Sequence, residues 1–237
     1  TKKRTRKTKK IRFINLTKPI IVTPSYWLYD QVKNSKLDYS GLYVINNGIN
    51  RNVFTYLDVN KTNDEISLLG VAYNFNDKKG IKYFAKLAND LSNDYTITLI
   101  GNISKKIVLP NNVKIVPRTN SEAELAYYYN KADLFVDFTQ EDNFPTTHLE
   151  SLSCGLPVLS FDVGGACEML NASNGIIVSN NKYSEALKQI KEKRYLSFDR
   201  MKICKMSNKY SSENFTKKYI NLYKDLESKK EEKKWIN

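Results

Sequence analysis

The chain is poor in the residues that build metal, redox and disulfide sites: three cysteines (Cys154, Cys167 and Cys204) and one histidine, His148, in 237 residues. The cysteine spacing suits neither metal ligation nor a disulfide framework, so these side chains are expected to pack as small apolar groups in a reduced, cytoplasmic protein. Glycine is scarce as well. None of the nine glycines builds a G-x-G-x-x-G run after a strand, which argues against a nicotinamide dinucleotide fingerprint. No apolar run approaches the ~20 residues of a membrane span, and no segment reads as a signal peptide.

Positive charge is abundant instead. The net charge is +13, of which Lys2, Lys3, Arg4, Arg6, Lys7, Lys9 and Lys10 supply seven, leaving +6 for the remainder. Such a run suits a solvated connector, an anionic membrane surface or nucleic acid. No nucleic-acid motif accompanies it, so nucleic acid is not an expected partner and any membrane contact is peripheral.

Farther along, short apolar runs alternate with amphipathic stretches, the pattern of an α/β protein with a parallel sheet and helices on both faces. Strands are expected near 66–71, 96–100, 113–116, 133–137, 157–161 and 175–178. In the helix after Gly80, residues Ile81, Phe84, Ala85, Ala88 and Leu91 follow helical spacing and should face the sheet. Further helices are expected near 121–131, 182–193 and 197–208, and a last one carrying Phe215, Tyr219, Leu222, Tyr223 and Leu226. Residues 20–46 read as two extended runs around a helix that begins near Ser25.

The stretch from Glu141 to Val158 is the richest in signals. With Asn143 as N-cap, Pro145 at the first helical position, Gly155 just past the end and Pro157 as a stop, a helix is predicted over about 145–154. Its start presents the backbone amides of Thr146 and Thr147, an anion site, while Glu150 points from the same face one turn deeper and Asp142 stays in the loop before it. A diphosphate on those amides would have a carboxylate for sugar hydroxyls on each side. The same acidic spacing also fits a capped surface helix with solvated acids.

Asp142 and Glu150, separated by seven residues and followed by Ser-Cys-Gly-Leu-Pro-Val158, resemble the family 4 glycosyltransferases of the GT-B fold, in particular those of colanic-acid and capsule type. Similar landmarks run in order over roughly residues 20 to 225: Ile21-Val-Thr-Pro-Ser-Tyr-Trp-Leu28, Val44-Ile-Asn-Asn-Gly-Ile49, Leu69-Gly-Val-Ala72 with Lys79-Gly80, Leu99-Ile-Gly101, Lys131-Ala-Asp-Leu-Phe135, Asp162-Val-Gly-Gly165 with Glu168, and Asn174-Gly175.

The resemblance implies a Rossmann-like C-terminal half of a GT-B fold, with 1–19 a basic connector and 20–62 the end of the N-terminal domain and the interdomain connection. Residues 63–212 would bind a nucleotide sugar, and 213–237 would form a crossover helix and tail. It implies a UDP- or GDP-sugar donor, no metal or other cofactor, and retaining transfer to a glycan or lipid-linked acceptor. Catalysis is carried over to Asp142 on the donor sugar and Lys79 on the departing diphosphate. Lys78 substitutes for the arginine of relatives, at whose place stand Val71 or Ala72. Pro145, Thr146 and Thr147 fall to the phosphates, Glu150 to the ribose, Arg118 to the base, and Gly101, Gly164 and Gly165 to close backbone approach. Glu168 is expected to open the next helix and His148 to serve packing. Two other readings stand beside this one: a non-catalytic donor-binding subunit that needs a separate acceptor-binding chain, and a basic module for anionic polymers.

Overall fold

The computed structural model describes residues 18–59, 64–103 and 107–235; the basic run at the start lies outside them. The chain first forms β1 (Ile20–Thr23), α1 (Tyr26–Lys33) and β2 (Gly41–Val44). It continues through β3 (Ile66–Phe75), α2 (Ile81–Asp90), β4 (Tyr95–Ile103), β5 (Val113–Val116), α3 (Glu122–Lys131) and β6 (Leu134–Asp137). Then follow α4 (Thr146–Ser153), β7 (Val158–Phe161), β8 (Gly175–Val178), α5 (Tyr183–Glu192), α6 (Arg200–Met206) and α7 (Ser212–Trp235).

Adjacent Leu68 and Leu69 of β3 are both buried, one in each of two apolar clusters. Successive strand side chains point to opposite faces, so β3 is covered on both sides, as in a parallel sheet between helix layers. That sheet has six strands in the order β5-β4-β3-β6-β7-β8. The order reverses between β3 and β6, and in such sheets ligands enter the crevice outside the carboxyl ends of the strands at that switch point. The α/β class with a parallel sheet is therefore as expected.

Helices α2 and α6 depart from expectation in detail. In α2 the buried stripe is Ile81, Phe84, Leu87 and Ala88, with Ala85 only partly covered. The helix expected near 197–208 is shortened because Asp199 caps it: the Asp199 carboxylate accepts from the Lys202 amide at 2.9 Å, so α6 begins at Arg200 and the preceding Arg194–Ser197 turn is tighter.

β1 and β2 pair in parallel as a separate two-stranded sheet, with Ser25 capping α1 through the Leu28 amide at 3.1 Å. From there the chain joins the main body early. Ile49 forms a parallel bridge to Ser211, and Phe54 is buried edge-on to Tyr129. Along α7, Phe215, Tyr219 and Tyr223 follow one another as tilted ring pairs, and Tyr223 is 59% exposed, so part of this apolar face is open. Among the described residues no helix is long and apolar enough to cross a membrane.

β3 runs past its expected end because a bulge interrupts its pairing with β4: Val71 pairs with Ile100, but the next aligned pair is Asn74 with Asn102. Ala72 and Tyr73 thus oppose Gly101 alone, an extra residue that bends the strand. Gly101 has φ +143, and a Cβ there would lie 1.8 Å from the Ala72 carbonyl oxygen. Only glycine fits that combination without strain. Gly101→Ala should cost about 2–5 kcal/mol of stability, strain and overpacking together, read as a lowered urea midpoint; an unchanged midpoint would remove the bulge argument.

Candidate functional site

The two central strands of the sheet deliver charged residues to the same crevice. β3 ends in Asn76 and the Asp77–Lys79 turn, where the Asn76 side chain accepts from the Lys79 amide at 3.0 Å. β6 leads into the 138–145 loop, and the Gln140 amide donates to the Lys78 carbonyl at 2.8 Å, tying loop to turn. Across this junction Lys79 Nζ lies 3.0 Å from Asp142 Oδ2 and Lys78 Nζ 2.9 Å from Glu141 Oε2. Asn76, Lys78, Lys79, Glu141, Asp142 and Asn143 line a cavity of about 460 Å³ at the switch point. The Glu141 hydrogen bond raises the Lys78 pKa, and the Lys78 hydrogen bond lowers that of Glu141. Both side chains of this outer pair are exposed, whereas Lys79 and Asp142 are 36% and 23% exposed.

Helix α4 starts beside this cavity, one step later than predicted. Pro145, in extended conformation with ψ 128, is the N-cap, and no side chain caps the helix. Asn143 cannot serve as cap because Phe144 precedes a proline, which disfavours helical geometry at Phe144. Phe144 is also pinned: its ring is buried against Tyr210 at 5.7 Å, and its carbonyl accepts from the Asn47 side chain at 2.9 Å. The amides of Thr146 and Thr147 therefore open the helix without a capping side chain. Gly155 has φ +70 just past the end, as expected.

The loop ahead of α4 rests on the Gly164–Gly165 turn. A Cβ on Gly164 would meet the Asp142 carbonyl oxygen at 2.0 Å, and one on Gly165 the Asn143 carbonyl oxygen at 2.0 Å. These glycines thus touch the backbone that carries Asp142. Glu168 departs from expectation. It lies in turns, not at a helix start, and its carboxylate reaches the first turn of α1, accepting from the amides of Tyr26 at 2.9 Å and Trp27 at 2.7 Å. A carboxylate at a helix N-terminus complements both the unpaired amides and the dipole. It links the small sheet to the main one.

Gly101 and Arg118 come together elsewhere, with Val71, Tyr73 and Pro117 around a cavity of about 380 Å³ at the carboxyl ends of β3, β4 and β5. Glu150 lines neither cavity. It sits partly buried between α4 and α3, where Tyr129 donates its phenol hydrogen to Oε2 at 2.8 Å. Burial raises the Glu150 pKa against the lowering by that hydrogen bond, and Glu122 raises it further.

Beneath the site lies a chain of buried polar groups that the sequence does not announce. His148 is 0% exposed; Nδ1 is 3.1 Å from the Ala166 carbonyl oxygen and Nε2 2.9 Å from Asp137 Oδ2. Each ring nitrogen thus has an oxygen partner, so the ring is fixed from both sides. Asp137 Oδ1 also accepts from the Thr139 amide at 2.9 Å and from the Thr139 hydroxyl. Burial alone would raise the Asp137 pKa, but the hydrogen bonds from His148 and Thr139 outweigh it and hold the carboxyl below its usual range. The histidine is thus a packing and positioning group, as expected of its place in the helix. Cys154 at the end of α4 is buried, with its thiol pushed up to about 12 by desolvation, an unreactive state. No group of three His, Cys, Asp or Glu among the described residues could hold a metal ion.

The strand order and the cavities at its carboxyl edge define a doubly wound α/β domain with the ligand crevice of that architecture. The chain belongs to the glycosyl transferases group 1 family, whose model matches residues 54–212. Over 212 residues it is 24% identical to a probable sucrose-phosphate synthase of Thermosipho melanesiensis, covering 82% of this chain and 48% of that protein. Among solved structures, sucrose-phosphate synthase from Thermosynechococcus elongatus superposes with a TM-score of 0.76 at 18% identity, over 88% of this chain and 58% of that one. Anabaena Alr3699/HepE in complex with UDP does so with a TM-score of 0.73 at 14% identity, over 87% and 64%. These likenesses show the GT-B type of α/β fold. The chain spans about half the length of the curated relative and less than two thirds of each solved one.

Removing the imidazole would leave the largely covered Asp137 carboxylate short of a hydrogen-bond partner, so His148→Leu should cost about 1–3 kcal/mol at pH 7, measured by urea unfolding. Because the folded-state pKa of Asp137 is depressed, the contribution is present above the unfolded value, about 4, and is lost as pH falls through the lower folded one. The gap between variant and wild type should therefore shrink at strongly acid pH. A gap independent of pH would exclude the Asp137 carboxylate as its source.

Proposed function

We propose that this chain is the donor-binding part of a glycosyltransferase and holds a nucleoside-diphosphate sugar along the carboxyl edge of its main sheet. The observation that carries this reading is the Lys79–Asp142 pair at the switch point, beside a helix start that no side chain caps. A diphosphate arriving there meets the Lys79 ammonium and the amides of Thr146 and Thr147, with Lys78 at the rim and Pro145 fixing the entry of the helix. Asp142, drawn off Lys79 by the incoming anion, is then available to a donor-sugar hydroxyl, and Gly164 and Gly165 keep its backbone close. The cavity at Gly101 and Arg118 takes the base. Glu150 accepts from the ribose hydroxyls.

Transfer breaks the bond between the anomeric carbon and the diphosphate oxygen, the electron pair leaving with that oxygen, while an acceptor hydroxyl oxygen bonds to the anomeric carbon and its proton passes to the departing diphosphate. Lys79 and the helix amides stabilise the charge that develops on it, and groups already oriented for this contribute without reorganising in the transition state. Family membership supports the transferase class, and the UDP bound by the Anabaena relative supports a uridine diphosphate sugar, with guanosine the alternative base. We extend the proposal to a retaining hexosyltransferase of the colanic-acid and capsule type, acting in surface polysaccharide synthesis on a glycan or lipid-linked acceptor near the cytoplasmic membrane surface. Acceptor-binding groups are assigned to a part of the protein or a partner beyond these residues, which supports weak or absent transfer by the chain alone.

Lys79→Ala should weaken UDP about 10- to 100-fold, the range of a charge-assisted hydrogen bond, and leave uridine affinity unchanged in calorimetry. Equal losses for both ligands would take Lys79 off the diphosphate. Glu150→Gln should cost UDP and uridine alike, about 1.5–3 kcal/mol each. Unaltered uridine affinity in that variant would take Glu150 off the ribose.

A further inference from the structure

Glu150 does not stand alone. Tyr129 of α3 is 0% exposed, and its ring is held edge-on to Phe54 at 6.2 Å and tilted against Phe135 at 5.6 Å. Its main-chain carbonyl accepts from Arg200 Nη2 at 3.2 Å. The ring is thus fixed on two sides and its backbone on a third, and close-packed interiors permit little lateral freedom. From this mount the hydroxyl donates to Glu150 Oε2 at 2.8 Å. Oε1 has no hydrogen-bond partner among the described residues.

We infer that Tyr129 is a positioning residue for the nucleotide site: its hydroxyl engages Oε2, sets the rotation of the Glu150 carboxylate and leaves Oε1 to accept from the ribose. This rests on the reading of Glu150 given above. A carboxylate on a glutamate has three side-chain torsions to settle, and a ligand that must order them loses affinity in doing so. A carboxylate already held by a rigid donor presents its second oxygen at no such cost.

The same contact acts on ionisation. The phenol is a donor to the charged form of Glu150 and opposes the burial that disfavours it, whereas Glu122 on α3 acts with the burial. Tyr129 itself is held far above the ordinary tyrosine range by burial and by Glu150, with smaller contributions from Cys154 at the end of α4 and Asp137 at the end of β6. It therefore stays a neutral donor. Ribose recognition by Glu150 needs the carboxylate, so it is lost as pH falls through the Glu150 pKa.

The test compares UDP with 2′,3′-dideoxyuridine diphosphate, whose affinity ratio at each pH isolates the ribose hydroxyls from phosphate titration. In Tyr129→Phe, which keeps the ring and deletes the hydroxyl, the ratio should fall about 3- to 10-fold at neutral pH, and the pH at which it is half lost should rise. Adding Tyr129→Phe to Glu150→Gln should change the ratio no further. Should Tyr129→Phe fail to fold, 3-fluorotyrosine placed at position 129 alone keeps the ring and strengthens the donor, and the half-loss pH should drop. If Glu150→Gln leaves the ratio at the wild-type value, the ribose role of Glu150 falls and this inference with it. If Glu150→Gln lowers the ratio while changes at Tyr129 move neither ratio nor half-loss pH, the inference alone is overturned.

Discussion

The arrangement of the candidate site depends on the buried contact between Asp137 and His148. Asp137 ends β6 at the switch point, His148 belongs to α4, and the histidine's other nitrogen reaches Ala166 just after the Gly164–Gly165 turn. One buried ring thus joins the three segments that surround Asp142: the strand that precedes its loop, the helix that follows it and the turn beneath it. Buried charge is tolerated only when paired and hydrogen-bonded, and here the Thr139 amide and hydroxyl complete the carboxylate's shell. Such a network is costly to half-satisfy, which makes the geometry of the loop hard to vary.

Above that framework the crevice is already charge-compensated. Lys79 faces Asp142, and Lys78 faces Glu141. Lysine–carboxylate pairs near solvent are weak, commonly worth about 0–1 kcal/mol, so an anionic ligand with several acceptor oxygens can displace the acid from the lysine at little cost. The pairing holds Lys79 over the cavity in the meantime. Glu168, the other notable acid, binds α1 through two amides and so couples the small β1–β2 sheet to the turn that carries Gly164 and Gly165.

Much of the fold was legible in the residues. The central strands β3, β6 and β7 stood out because each carries a short apolar run, the composition a strand needs when both faces are covered. Gly155 and Pro157 marked the end of α4 through local backbone preferences. The start of that helix was misplaced by the competing demand of Phe144, whose burial and position before Pro145 outweighed the capping tendency of Asn143. The shortening of α6 by Asp199 is also a local effect, but one of several polar residues in that stretch that spacing alone does not single out. Of the site, spacing around one helix start related Asp142 to Glu150, yet the partner of each lies on another segment.

What the sequence determined by itself was local: which segments are strands and helices, where glycine and proline stop them, and the order of motifs that places the chain in its family. Tertiary structure alone decided that Lys79 meets Asp142, that Tyr129 holds Glu150, that Glu168 caps a helix more than 140 residues away, and that Gly101 serves a bulge against Ala72. Each of these joins residues that share no helical or strand periodicity. The Lys79–Asp142 contact arises when the strand order reverses between β3 and β6 and brings two loops to one edge of the sheet, the others when helices and neighbouring strands pack, and no preference of an isolated segment encodes those meetings.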